Sequence, residues 1–192
     1  MLSQSQIEII KPSDPRPSPE DSKAHHPKQG SKTFNNPWPS FQGIAGITTF
    51  LGAKIVGDLP SPNIPKDVQN QIGFEVATFQ TGDKNKIKST WLGHACFYIE
   101  LPCNEDQERG LRILFDPVFS KRCSPFSFAG PKRYTEAPLV DGLPEIDIVC
   151  ISHNHYDHLD KATVKALSKR FGSSIHFFVP LGVSKFFKSL KI

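Results

Sequence analysis

The pattern of apolar and polar positions changes at residue 72. Phe74, Val76 and Phe79 mark a strand-like run, and residues 87–92, 95–101 and 111–115 predict three more strands. Gly93 and His94 punctuate the first two of these, and the polar stretch 102–110 reads as a hairpin loop. Residues 146–152 are nearly all apolar, as expected of a strand covered on both faces. Asp160 is a natural N-cap for a helix over 161–171, where Val164, Leu167 and Phe171 recur at three and four residues, and Gly172 fits its stop. A short strand at 175–179 and a last helix bearing Val183, Phe186, Phe187 and Leu190 on one face complete the pattern. Residues 117–144 contain several prolines and no periodicity, which predicts a long irregular loop of functional or disordered type. The fold class is therefore α/β, or α+β, with no internal repeat.

Upstream, residues 1–40 hold seven of the 17 prolines among Ser, Lys, Asp and Gln. Such a segment buries too little apolar surface to offset its ordering entropy. The expected organisation is a disordered proline-rich tail over 1–34, a linker or helical extension over 35–71, and a folded domain over 72–192. An apolar fraction of 38% with 15 phenylalanines is enough for a core. Net charge is +4, but residues 161–192 carry seven Lys/Arg and no Asp or Glu. This basic end suits anionic lipid or phosphate, and suits equally the solvated faces of two helices. Cys96, Cys103, Cys123 and Cys150 lack Cys-x-x-Cys spacing and follow no secretory signal, so they are expected to be reduced in an intracellular protein. No apolar stretch reaches the roughly 18 residues of a spanning helix.

The chemistry concentrates directly after the apolar run at 146–152. There His153-Asn154-His155-Tyr156-Asp157-His158 places three histidines and an aspartate within six residues. Imidazole and carboxylate suit zinc, and such a cluster at a strand end can hold two ions. Residues two apart can face one ion, here His153 and His155, while Asp157 and His158 come one turn later and can face another. Two zinc ions at about 3.5–4 Å can share a hydroxide and bind a phosphoryl or carbonyl oxygen as Lewis acids.

This segment resembles the metal-binding motif of the metallo-β-lactamase fold superfamily. The wider chain is similar to one branch, the N-acylphosphatidylethanolamine-hydrolysing phospholipase D family. The resemblance runs through Asn36-Pro37-Trp38-Pro39, Thr90-Trp91-Leu92-Gly93-His94-Ala95 and Phe115-Asp116-Pro117-Val118-Phe119-Ser120. It continues through Gly130-Pro131-Lys132-Arg133, Ile151-Ser152 with the metal motif and Leu159-Asp160, and Phe178-Val179-Pro180-Leu181-Gly182. It implies that His153 and His155 bind a first zinc and Asp157 and His158 a second, with Asp157 also the catalytic assignment. Asp116 would orient these ligands from behind, or merely cap a turn. Lys132 and Arg133 would meet a substrate phosphate, or stand as a solvated basic pair. His94 and His176 are read as packing residues, and His25 and His26 as a chance pair.

The implied fold is the first half of an αββα sandwich, and the implied reaction is hydrolysis of N-acylphosphatidylethanolamine to an N-acylethanolamine and phosphatidate. The resemblance further implies two zinc ions per complete domain, a phospholipid substrate, peripheral attachment to an intracellular membrane surface, and a homodimer. Three further family ligands lie downstream of the matched region, so the chain is expected to be truncated, to hold zinc loosely and to be inactive alone. It is also expected to leave a sheet edge and an apolar face uncovered. Whether the chain acts as an enzyme is left open by these missing ligands. Another hydrolase of the same fold, a lactonase or a different phosphodiesterase, is one alternative. A non-catalytic fragment binding a membrane or a partner is another. A nucleic-acid partner is not expected, because no strong basic stripe accompanies the motif.

Overall fold

The first three predicted strands that pair do so with their neighbours in sequence. β1 (Lys88–Gly93), β2 (Cys96–Glu100) and β3 (Arg112–Phe115) form an antiparallel meander, in which Thr90 faces Tyr98 and Tyr98 faces Leu114. β4 (Ile148–Cys150) then joins β3 in parallel, and β5 (His176–Phe178) joins β4 in parallel, giving a five-stranded mixed sheet in the order β1-β2-β3-β4-β5. The computed structural model describes residues 33, 35, 36, 38–41, 43, 46, 48, 49, 52, 63–79, 82–126, 128 and 130–192. The chain divides into two units, Met1–Ile64 and Pro65–Ile192, and the sheet lies in the second. All of the expected tail but residue 33, including the pair His25 and His26, and much of the expected linker fall outside the described residues.

A short helix, α1 (Val68–Gln71), opens the second unit. Parallel pairing of β4 with β5 needs a crossover, and α2 (Lys161–Phe171) supplies it. Its start is set by Asp160, whose carboxylate accepts the Ala162 N–H at 3.1 Å, and its end by Gly172, whose positive φ of 57° suits glycine. A 3-10 turn over Val140–Gly142 interrupts the otherwise irregular crossover from β3 to β4, and a second follows α2 at Gly172–Ser174. α3 (Ser184–Ser189) closes the fold. Residues 73–79, read as a strand, form no ladder. They still serve the core: Ala77 and Phe79 pack against it, and Phe79 meets Tyr98 edge-on at 5.1 Å. Alternation there reflects contact with one apolar surface rather than strand pairing.

The two faces of the sheet differ sharply. Tyr98, Leu114 and Val149 lie side by side in register and are buried in one cluster with Val164 and Leu167 of α2 and Phe187 of α3. On the other face Trp91, Phe97, Phe115, Cys150 and Phe178 form a continuous cross-strand row. This row is apolar yet open: Trp91 is 63% exposed, Phe97 39% and Phe178 45%. The apolar face anticipated from sequence is therefore present.

The sheet end remote from the β1–β2 turn is tied by charge. Glu100 is buried and pairs with Lys88 and, at 2.6 Å, with Arg112 Nε, while Arg109 grips Asp147 with two hydrogen bonds of 2.6 and 2.8 Å. Burial pushes the Glu100 carboxyl up, but Lys88 and Arg112 outweigh it and hold it below its usual range.

Leu114→Ala is expected to cost about 2–5 kcal/mol in chemical denaturation, whereas Phe97→Ser, on the open face, should cost under about 1 kcal/mol. Glu100→Gln should lower stability by about 3–5 kcal/mol at neutral pH, since it leaves Lys88 and Arg112 without their buried counter-charge. Because the folded pKa of Glu100 is depressed, its contribution is present above its unfolded pKa of about 4.3 and fades as pH falls through the folded value. Thermal melts of the two proteins should therefore converge only once the pH has fallen past the depressed folded value, on the acid side of the unfolded one.

Candidate metal centre

Three segments reach the same end of the sheet, because β1, β3 and β4 all point their carboxyl ends that way. They are the β1–β2 turn with His94, the exit of β3 at Asp116, and the exit of β4 that carries residues 152–158.

Asp116 organises the last two. It adopts a left-handed backbone (φ 41°), uncommon outside glycine, while its N–H donates to the Cys150 carbonyl at 2.9 Å. Its buried carboxylate accepts the Ser152 N–H and the Ser152 hydroxyl, both at 2.7 Å, and His158 Nδ1–H at 2.9 Å. Since the Ser152 hydroxyl gives its one proton to Asp116, its oxygen accepts from His153 Nδ1 at 2.9 Å. Both imidazoles are thereby set with Nδ1 protonated and the Nε2 lone pair turned outward, the arrangement a metal ligand needs. Burial pushes the Asp116 carboxyl up, yet the bonds from Ser152 and His158 prevail and hold it below its usual range.

The ligand segment folds into a turn, with the His155 carbonyl accepting from His158 N–H at 3.0 Å and Leu159 N–H at 2.7 Å. Buried Leu159 and Asp160 anchor its far end, where Asp160 also accepts the Ser120 N–H at 2.9 Å and the Thr163 hydroxyl at 2.6 Å. The loop leaving β3 is thus fastened to both ends of the ligand segment. Within it His153 Nε2 and His155 Nδ1 stand 3.1 Å apart, and His158 Nε2 lies 3.6 Å from Asp157 Oδ2. Zinc at about 2.0–2.2 Å from tetrahedral N and O ligands sets adjacent donors roughly 3.3–3.6 Å apart. The donor set and its spacing therefore fit a metal ion.

Two residues that matter here were not singled out as site residues from sequence. Ser152 reads as the end of an apolar strand, yet β4 stops at Cys150 and Ser152 joins Asp116 to two histidines. His94, read as a packing residue, is half exposed and puts Nε2 at 3.1 Å from Asp157 Oδ2. Arg133 donates to the Val118 carbonyl at 2.6 Å and lies against Gly93, while exposed Lys132 stands 5.5 Å from the Tyr134 ring. His176 is exposed in β5 and takes no part in the cluster. All four cysteines are free thiols. Burial pushes Cys96 up to about 12, so it acts as a small hydrophobe rather than a nucleophile.

Ser152→Ala is expected to leave the chain folded and to weaken zinc binding about 10–100-fold in competition titrations with a chromophoric chelator.

Residues 111–190 match the family model described as the beta-lactamase superfamily domain. The chain is 32% identical over 185 residues to N-acyl-phosphatidylethanolamine-hydrolyzing phospholipase D 1 of Caenorhabditis elegans, covering 93% of this chain and 49% of that protein. It is 37% identical over 109 residues to the mitochondrial N-acyl-phosphatidylethanolamine-hydrolyzing phospholipase D of Saccharomyces cerevisiae, covering 56% of this chain and 21% of that one. A metal-dependent hydrolase of Anaeromyxobacter sp. (strain K) is 32% identical over 101 residues, 53% of this chain and 30% of the relative. The chain thus spans about half the length of the nematode relative and less of the others. With that match joined to the histidine–aspartate cluster at the carboxyl end of the parallel strands, residues 111–190 form a beta-lactamase superfamily domain.

Proposed function

We propose that this chain is the metal-binding half of a zinc-dependent phosphodiesterase that hydrolyses N-acylphosphatidylethanolamine to an N-acylethanolamine and phosphatidate. The observation that carries the reading is the preset pair of imidazoles, His153 and His158, held through Ser152 and Asp116 beside His155 and Asp157. His153 and His155 would hold one zinc ion, and Asp157 and His158 a second. Bound zinc supplies Lewis acidity toward a phosphoryl oxygen and a nucleophile at neutral pH.

The chain's own residues do the rest. Asp116 and Ser152 keep the imidazole lone pairs directed at the site. Asp157, ionised because its own backbone N–H, His158 and His94 outweigh the effect of burial, offers an acceptor carboxylate. A cleft of about 660 Å³ beside the ligand segment is lined by Arg122, Asn154, Tyr156, Lys161, Leu181 and Phe186. Cations beside an apolar wall suit a molecule with a phosphate and acyl chains. Lys132 would add charge at the same phosphate. We read the protein as attached peripherally to an intracellular membrane surface and as a homodimer; among the described residues no helix is long and apolar enough to cross a membrane. The first half of an αββα sandwich accounts for the one open apolar face of the sheet.

The resemblance to a bacterial metal-dependent hydrolase favours a second reading, a hydrolase of the same fold acting on another substrate. Joining this chain to the complementary half of the nematode relative separates the two. The chimera should release phosphatidate and N-acylethanolamine from N-acylphosphatidylethanolamine vesicles, with His153→Ala reducing the rate at least about 100-fold, whereas the 192-residue chain alone stays at the blank. A folded, zinc-loaded chimera that opens a lactone and ignores the phospholipid would favour the second reading.

A further inference from the structure

We infer that His94 is a third protein ligand to the metal held by Asp157 and His158. The inference rests on reading residues 153–158 as metal-binding, and it adds to Asp157 and His158 a ligand from the β1–β2 turn that the sequence motif does not contain.

The distances carry it. His94 Nε2 and His158 Nε2 lie 3.1 and 3.6 Å from the same oxygen, Asp157 Oδ2. These bracket the roughly 3.3–3.6 Å edge of a zinc tetrahedron built from N and O ligands. One ligand atom from each of His94, Asp157 and His158 lies within 4.8 Å of the other two. The His94 and His158 rings meet edge-on with centroids 5.3 Å apart. His158 Nδ1 is already committed to Asp116, so its Nε2 is the atom available to this group.

His94 is also held in place by structure that packing alone would not require. The turn runs through two successive left-handed residues, Gly93 at φ 100° and His94 at φ 50°, the second unusual for a non-glycine. The Trp91 indole N–H donates to the His94 carbonyl at 2.9 Å. Beneath the turn the Arg133 guanidinium, anchored on the Val118 carbonyl, sits where a Cβ on Gly93 would lie only 2.9 Å from Nη1. A half-exposed imidazole on a braced, strained turn, aimed at a carboxylate from a segment some sixty residues away, is arranged as functional residues are.

A hydrogen-bonding role is the competing account, and three variants of the full chain discriminate. Zinc affinity is read by chelator competition, with His153→Ala as a control at the other pair. His94→Ala should weaken the tighter zinc site by more than about 100-fold, beyond the 10–100-fold typical of a lost outer hydrogen-bonding partner. His94→Gln keeps an N–H donor for Asp157 but is a poor zinc ligand, and should lose affinity as the alanine variant does. His94→Cys loaded with cobalt(II) should show a thiolate-to-metal charge-transfer band absent from the parent. Wild-type zinc affinity in His94→Ala or His94→Gln, or no such band in a cobalt-loaded His94→Cys, overturns the inference while leaving the metal centre standing. Failure of the parent chain to bind zinc overturns both.

Discussion

The carboxylate of Asp116 is the point on which the upper end of this molecule depends. It is buried, ionised and bonded to Ser152 and His158, and its backbone is bent into a conformation that costs about 1–2 kcal/mol for an L-residue. Three charge-assisted hydrogen bonds, each worth roughly 1.5–3 kcal/mol, exceed that cost. The strain therefore persists because the bonds need it: an extended residue at 116 would carry the carboxylate away from the exit of β4. One side chain thus joins two parallel strands at their ends and fixes the tautomers of two imidazoles.

The sheet below it is built from unequal halves of burial. The Tyr98, Leu114 and Val149 face is closed by α2 and α3, whereas the row from Trp91 to Phe178 is left half open. Exposed contiguous apolar surface of this kind is unusual on a monomer and marks a surface suited to further contact.

Much of this was legible in the residues, and the gaps have physical causes. The helix over Lys161–Phe171 was readable to the residue because its cap, its apolar spacing and its terminal glycine are all local signals. The candidate ligand segment was equally plain, since three histidines and an aspartate fall within six positions. The strand-like run at 73–79 misled because alternation records which side chains touch apolar surface, while a strand also needs a partner backbone. Ser152 was hidden by its ordinariness at the end of an apolar run. His94 was hidden by distance, because only the pairing of β1 with β2 and β3 with β4 brings it beside Asp157.

The crossover from β3 to β4 has a consequence for the order of assembly. The meander of β1, β2 and β3 is made of contacts close in sequence, whereas β4 must return across some thirty residues before it can pair. Closing a loop of that length delays the contacts beyond it. Asp116 waits at the end of the early meander for a serine and a histidine that only the late strand can deliver. The orientation that Asp116 imposes on Ser152 and His158 is thereby a mark of completed folding, since these groups meet only when the longest-range pairing in the sheet is already made.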